Sequence, residues 1–303
     1  MDFRGRTYEV QRCGNCGMGK TMPFPSDEEL EELYSASNYR DKDKGKRFIP
    51  PMEWLVGLLR NRRLRAIERF IKKGTILDIG CGRGLLLKAA RESGWEVYAT
   101  EHNKDSASHA ADILGIDVRS DDIRNAGFES GSFDVISLWH VLEHLQDPQG
   151  VIEKCHDLLK PGGLLVIAVP NFASLQAIVS GRHWFHLDVP YHLYHFKLHS
   201  LEKLIGRSGF RIKKVSHFST EYNPYGFLQS MLNMCGISNN FLYNVLRAGR
   251  SAPASGGKGY MLNLLLTAVL TPVFIPVSLI LSTIESMLSM GGTVQIFSTR
   301  ETR

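Results

Sequence analysis

Of the 303 residues, 43% are hydrophobic, 22% charged and 10% aromatic, and the formal net charge is +5. This balance excludes a disordered, collagen-like or disulfide-dense chain, and a mean hydropathy of -0.13 excludes a multi-span transporter. Five cysteines and an opening without a basic-then-apolar leader point to a reducing, cytoplasmic setting.

The first segment, 1–47, is an N-terminal extension. Cys13-Gly14-Asn15-Cys16 supplies two thiolates at the spacing of half a tetrahedral zinc site. Two ligands are too few, so no metal is assigned. Ser26 and Glu29 have capping-box spacing and open a short helix through Tyr34. Residues 48–73 form a basic amphipathic helix: residues 40–73 carry twelve basic and four acidic side chains, whereas residues 74–303 carry twenty of each. Trp54, Leu55, Leu58, Leu59, Ile67, Phe70 and Ile71 recur at helical spacing beside seven cations between Arg60 and Lys73. Such a helix packs its stripe on the next domain with solvated charges, or lies on anionic lipid. With no aromatic-rich recognition module beside the charge, nucleic acid is not an expected partner.

Residues 74–220 alternate short apolar runs with helical patterns, the signature of βαβ units on a parallel sheet. Strands are predicted at 75–79, 96–100, 116–119, 133–138, 164–169 and 211–217. Asp147 and Pro148 supply an N-cap and first-turn proline, Ser200 a second N-cap, and Pro161-Gly162-Gly163 a stop before the fifth strand. After the first strand, Gly80, Gly82 and Gly84 form a turn that lets a ligand approach the backbone at a helix N-terminus. The spacing is GxGxG, with Leu85 where a dinucleotide fingerprint needs glycine, which disfavours NAD. Glu101 closes the second strand, where a carboxylate can accept from both ribose hydroxyls. Asp122 follows the third, suited to the amino edge of adenine, with Asp121 a rival one residue away.

Residues 221–290 form an apolar helical insertion in which 259–284 carries no charge and meets the length of a membrane helix. The final segment, 291–303, contains a last strand at 293–299. If that strand returns to the main sheet, the apolar stretch begins and ends on one side of a membrane, as a helical pair bent at Pro272 and Pro276. A single span and a surface covered by protein are the alternatives.

The ordered set Asp78-Ile79-Gly80-Cys81-Gly82-Arg83-Gly84, Glu101, Asp122, Ser132-Phe133-Asp134-Val135-Ile136, His140-Val141-Leu142-Glu143-His144-Leu145 and Leu159-Lys160-Pro161-Gly162-Gly163 resembles the class I S-adenosylmethionine-dependent methyltransferases. The resemblance implies an α/β, Rossmann-like sheet of seven mostly parallel strands, the last antiparallel and inserted between the fifth and sixth. It implies S-adenosylmethionine as cofactor, with Gly80, Gly82 and Gly84 near its methionine part, Asp78 helping to hold it, Glu101 on the ribose, and Asp122 with Ile123 flanking adenine. The segment from Val169-Pro170-Asn171 through Trp184, Asp188, Pro190, His192 and His195-Phe196 resembles a subset acting on ubiquinone-type precursors, glycolipids or polysaccharide sugars.

Five histidines lie between His183 and His199, in the stretch that would cover the site. A neutral imidazole suits proton removal near pH 7, so His192 and His195, then His140, are the candidate catalytic bases. The alternative is a packed lid whose imidazoles only satisfy hydrogen bonds. The i, i+4 spacing of His140 and His144 is set aside as a zinc pair, because the preceding run reads as strand. The expected function is O-methylation of a lipid-linked, quinone-like or cell-envelope glycan acceptor at the cytoplasmic face of a membrane, by a chain that could form a homodimer. A nucleotide-sugar C-methyltransferase and a non-catalytic cofactor-binding scaffold subunit are the alternatives.

Overall fold

The computed structural model describes residues 2–3, 5–26, 28–30, 32, 61–247 and 258–301. The N-terminal extension folds into β1 (Asp2–Phe3), β2 (Arg6–Thr7), β3 (Glu9–Arg12) and β4 (Gly19–Met22). Then follow α1 (Asn61–Ile67), β5 (Thr75–Ile79), α2 (Leu85–Glu92), β6 (Glu96–Thr100), α3 (Lys104–Leu114), β7 (Val118–Arg119), β8 (Phe133–Trp139), α4 (Pro148–Leu158) and β9 (Leu159–Pro170). The chain continues through α5 (Leu175–Ser180), β10 (Tyr194–His195), α6 (Leu198–Arg207), β11 (Phe210–Ser216), α7 (Asn223–Met234), α8 (Phe241–Leu246), α9 (Lys258–Met287) and β12 (Thr293–Arg300).

Seven strands form one sheet in the order β11-β12-β9-β8-β5-β6-β7. β12 runs antiparallel to both neighbours, pairing Thr293 with Pro170 through Thr299 with Leu164, while β5, β6, β7, β8 and β9 pair in parallel. This is the topology implied by the resemblance. The central strands β5, β8 and the second half of β9 read as near-continuous apolar runs because both faces are covered. Leu77, Ile136, Leu138, Leu165 and Ile167 pack with α4 and α6 residues on one face; Ile76, Val135, Leu164, Val166 and Ala168 pack with α1, α2 and α3 residues on the other.

Three local expectations change. Pro161-Gly162-Gly163 is no stop: β9 starts at Leu159, pairs it with Phe133, and resumes at Leu164 opposite Val135, so the tripeptide is a bulge with Gly162 at φ 76°. The third strand keeps only Val118 and Arg119. Ser200 lies inside the first turn of α6, and its Oγ accepts from Lys197 N at 3.0 Å. The capping box at Ser26 forms as expected, with Glu29 N donating to Ser26 Oγ and Ser26 N to Glu29 Oε2.

The extension is joined to the domain: β4 lies between β3 and β10, completing a three-stranded sheet with the histidine segment. Of the basic helix, residues 48–60 lie outside the described residues; α1 buries Leu64 and Ile67 against the sheet.

The apolar stretch is not a pair bent at its prolines. It is the continuous 30-residue helix α9, with Pro272 and Pro276 inside it, and it rises about 45 Å. Each proline removes one N–H from the ladder, but the aliphatic residues around them supply no turn chemistry to reverse the chain. The outgoing leg of the hairpin is instead α7 with α8: Leu228, Leu232, Ile237 and Phe241 pack against Tyr260, Leu264, Leu270 and Phe274 of α9. Asn263 Nδ2 donates to Ser238 Oγ at 2.7 Å near the outer end.

Candidate active site

The turn after β5 carries three glycines in the left-handed region, Gly80, Gly82 and Gly84, at φ 68°, 54° and 67°. A Cβ on Gly80 would come within 2.5 Å of Val141 Cγ2, so the turn packs directly on the loop after β8. Nothing lies within 4 Å of a Cβ built on Gly82, which leaves its backbone open to a ligand. Glu101 is pinned beside this opening: Gly82 N donates to its Oε2 and Asn103 N to its Oε1, both at 2.9 Å. Asp78 is buried within β5, where Ser137 Oγ donates to it at 2.5 Å. Burial pushes its carboxyl up to about 7, against the pull of the Ser137 hydrogen bond and the Arg63 charge. Asp122 is engaged by its neighbour, accepting from Arg124 N, Nε and Nη2, and Ile123 is buried in the core beside it.

Sequence reasoning missed Arg63. Its guanidinium clasps Glu221 through Nε and Nη2 at 2.9–3.1 Å, donates to Tyr222 Oη at 2.8 Å, and lies 5.0 Å from the Trp139 ring centroid. Arg62 donates to Thr220 Oγ1. Two charges expected to face water or lipid therefore hold the loop before α7 over the carboxyl end of the sheet. Arg63 shares a helix flank with buried Ile67 at i, i+4, and that spacing was its one available signal.

On the loop after β8, His140 has φ 56° and lies against Tyr222, ring centroids 4.0 Å apart. Its Nδ1 is 3.3 Å from Glu143 Oε1, and its Nε2 is buried without a hydrogen bond. Burial, reinforced by Arg63, pushes its pKa down to about 3. Glu143, in the 3-10 turn Leu142–His144, is 1% exposed with neither carboxylate oxygen hydrogen-bonded among the described residues. His144 Nδ1 faces Tyr191 O and His192 Nδ1 faces His186 O, each at 2.9 Å. A carbonyl only accepts, so both Nδ1 atoms carry the proton. One donor atom each from Glu143, His144 and His192 lies within 4.8 Å of the others, close enough to hold a divalent cation between them, although no hydrogen bond joins Glu143 to either ring among the described residues. Since His140 directly follows a strand and His144 ends a short turn, the two are not a helical i, i+4 pair.

His195 is occupied elsewhere. Thr21 Oγ1 donates to His192 O at 2.5 Å and sits 3.1 Å from His195 Nε2, so the hydroxyl accepts from that ring nitrogen. The structure thus gathers His140, Glu143 and His192 and sets His195 aside as a strut. Replacing Thr21 by Val should strand the His192 carbonyl and the His195 N–H in the interior, costing about 2 kcal/mol and lowering Tm by about 4–8 °C in a thermal melt. In the extension, Cys13 N donates to Met18 O and Gly17 N to Cys13 O, closing a turn around the cysteine pair. Backbone N–H groups of Cys16 and Asn15 hold the Cys13 thiol below its usual range.

A left-handed glycine turn, a carboxylate pinned against it and a buried acid at the carboxyl edge of a parallel sheet are the arrangement at which α/β domains bind ligands. A family model described as a methyltransferase domain matches residues 53–215, more than half of the chain. The chain belongs to the methyltransferase-domain family, in its S-adenosylmethionine-dependent branch. It is 35% identical over 159 residues to a ubiquinone biosynthesis O-methyltransferase of Parvibaculum lavamentivorans, covering 49% of this chain and 62% of that protein. A Coxiella burnetii protein of the same name is 36% identical over 135 residues, covering 41% and 58%. The matched region thus spans about three fifths of these relatives. Among solved structures, a SAM-dependent methyltransferase from Archaeoglobus fulgidus superposes with a TM-score of 0.51 at 21% identity, over 80% of this chain and 93% of that one. A [4+2]-cyclase superposes with a TM-score of 0.55 at 15% identity, over 92% and 97%. At these identities the likeness is one of fold.

Proposed function

We propose that the chain transfers a methyl group to a hydroxyl oxygen of a lipid-linked, quinone-like or cell-envelope glycan acceptor at a membrane surface. S-adenosylmethionine supplies the methyl on a sulfonium, with the glycine turn against its methionine part, Glu101 on its ribose, and Asp122 and Ile123 flanking adenine. In-line displacement forms the O–CH3 bond as the S–CH3 bond breaks, and the acceptor's proton must leave. The observation that carries this reading is Glu143, a buried carboxylate with no hydrogen bond among the described residues, beside His192, whose second ring nitrogen can only accept. The pair takes the hydroxyl proton, while His140 and Tyr222 wall the cleft and exclude water. The relatives named for ubiquinone O-methylation support oxygen as the methylated atom, and the exposed apolar surface of α9 supports an acceptor in or on a membrane.

The test is incubation of the full chain with methyl-labelled S-adenosylmethionine and fractionated cell extract. Label should enter the organic-soluble lipid or the lipid-linked glycan fraction. Label confined to water-soluble small molecules would overturn the acceptor class, and no label in any fraction would favour a non-catalytic binding subunit.

Asp78 sets an expected pH dependence. A cationic ligand binds the ionised carboxylate, and below about 7 that carboxyl must first lose a proton. Cofactor affinity measured by calorimetry should fall with each pH unit below 7, approaching about tenfold per unit. Above pH 7 it should level off. Asp78→Asn should bind weakly with a flat profile.

A further inference from the structure

The helix α9 is inside out. Its fully buried positions are Thr267, Ser278, Ser282 and Glu285, with Leu264, Leu270 and Phe274 half-buried against α7 and α8, while Leu262, Leu265, Val269, Val273, Leu279 and Ile280 are each half or more exposed. At 100° per residue the buried four fall within about 60° of arc and the six aliphatic residues within about 120° on the other side; Ile275 and Val277, also exposed, widen the aliphatic face to about 200°. The two serine hydroxyls of the inner stripe are turned back on the helix itself: Ser278 Oγ donates to Ile275 O, and Ser282 Oγ to Leu279 O. The sole acid of α9, Glu285, accepts from Gln176 Nε2 at 2.9 Å and Gly292 N at 3.1 Å, which ties the base of the helix to the catalytic domain. A helix solvated by water does the opposite, with aliphatic side chains inward and hydroxyls outward. Small polar residues toward protein and large aliphatic ones outward is the arrangement of a helix solvated by hydrocarbon.

We infer that the hairpin of α7, α8 and α9 is a membrane anchor whose α9 face is seated in the acyl region of an anionic bilayer. This deepens the membrane-surface part of the proposed function and rests on it for the purpose of the anchor. Lipid is favoured over a second copy of this chain by the width of the arc, since one partner helix covers about 100° of circumference and would leave the rest in water. Charge agrees. Between Glu221 and Glu285 the sequence carries Arg247, Arg250 and Lys258 and no acid, so nothing in the hairpin repels anionic headgroups. Both ends of the hairpin are fixed to the same domain, by Asn223 Nδ2 on His217 O at one end and by Glu285 at the other. The anchor therefore enters and leaves on one side.

Flotation of the full chain with vesicles of phosphatidylcholine containing phosphatidylglycerol tests the anchor. The triple variant Leu265→Asn, Val269→Asn, Val273→Asn changes only exposed positions, so its melting temperature and cofactor binding should match those of the wild type. Its partition should weaken about a hundredfold or more, because three aliphatic side chains no longer enter hydrocarbon. Equal flotation of the two proteins would overturn the proposal. So would a detergent-free wild-type chain that ignores vesicles and sediments as a dimer, which would assign the face to a second copy. Methyl transfer to a detergent-dispersed acceptor separates the two readings: a chain that fails to float but still methylates lipid refutes the anchor alone, and one that floats without transferring methyl refutes the activity alone.

Discussion

Replacing Glu143 by Gln should lower kcat about a thousandfold while leaving S-adenosylmethionine affinity unchanged. General base assistance contributes roughly a hundred- to ten-thousand-fold where the acceptor must lose a proton, and Glu143 is the buried carboxylate nearest His192. The amide fills the same space and can be neither ionised nor protonated at the carbonyl under ordinary conditions. Folding should not suffer, because neither carboxylate oxygen has a hydrogen-bond partner in the described structure. A melt confirms that, and single-turnover kinetics separates the chemical step from binding. His192→Ala should lose a comparable factor, and the double variant little more, because two groups serving one proton transfer act as a unit. Glu143→Gln with wild-type kcat would remove the base from this site.

The second large effect is on the cofactor. Glu101→Ala should weaken S-adenosylmethionine binding about a hundredfold. A carboxylate accepting from two ribose hydroxyls forms charge-assisted hydrogen bonds worth about 1.5–3 kcal/mol each, and about 2.7 kcal/mol corresponds to a hundredfold. The same carboxylate holds Gly82 N and Asn103 N, so truncation also loosens the turn that faces the cofactor. Glu101→Gln retains acceptor capacity and should lose less. Calorimetric titration reads both variants, and unchanged affinity in Glu101→Ala would remove the ribose assignment.

The sheet was legible because its information is local. The central strands are near-continuous apolar runs, and the glycines at 80, 82 and 84 mark the turn where the chain must adopt positive φ. The return of β12 could be inferred from its strand-like run after Gly291-Gly292 and from the family resemblance, and the pairing with β9 bears it out. What stayed illegible depends on distant partners. Arg63 looks like one more solvated cation until Glu221, 158 residues away, is brought against it. His195 looks like a base until Thr21, 174 residues away, takes its ring nitrogen. Glu143 carries no signal of its own in a motif read as a turn, and gains one only when His192 folds beside it. The apolar stretch was recognised by composition, but its outgoing leg, α7 with α8, is polar enough at Gln229, Asn233 and Asn240 to hide the hairpin.

The most direct test of the central claim is the position of the transferred methyl. After turnover with S-adenosylmethionine labelled at the methyl with carbon-13, the product's labelled carbon should resonate as a methyl ether, in a molecule recovered with the lipid-linked fraction. A label on carbon, or a cofactor left fully intact after prolonged incubation with membrane extract, would contradict O-methylation by this site.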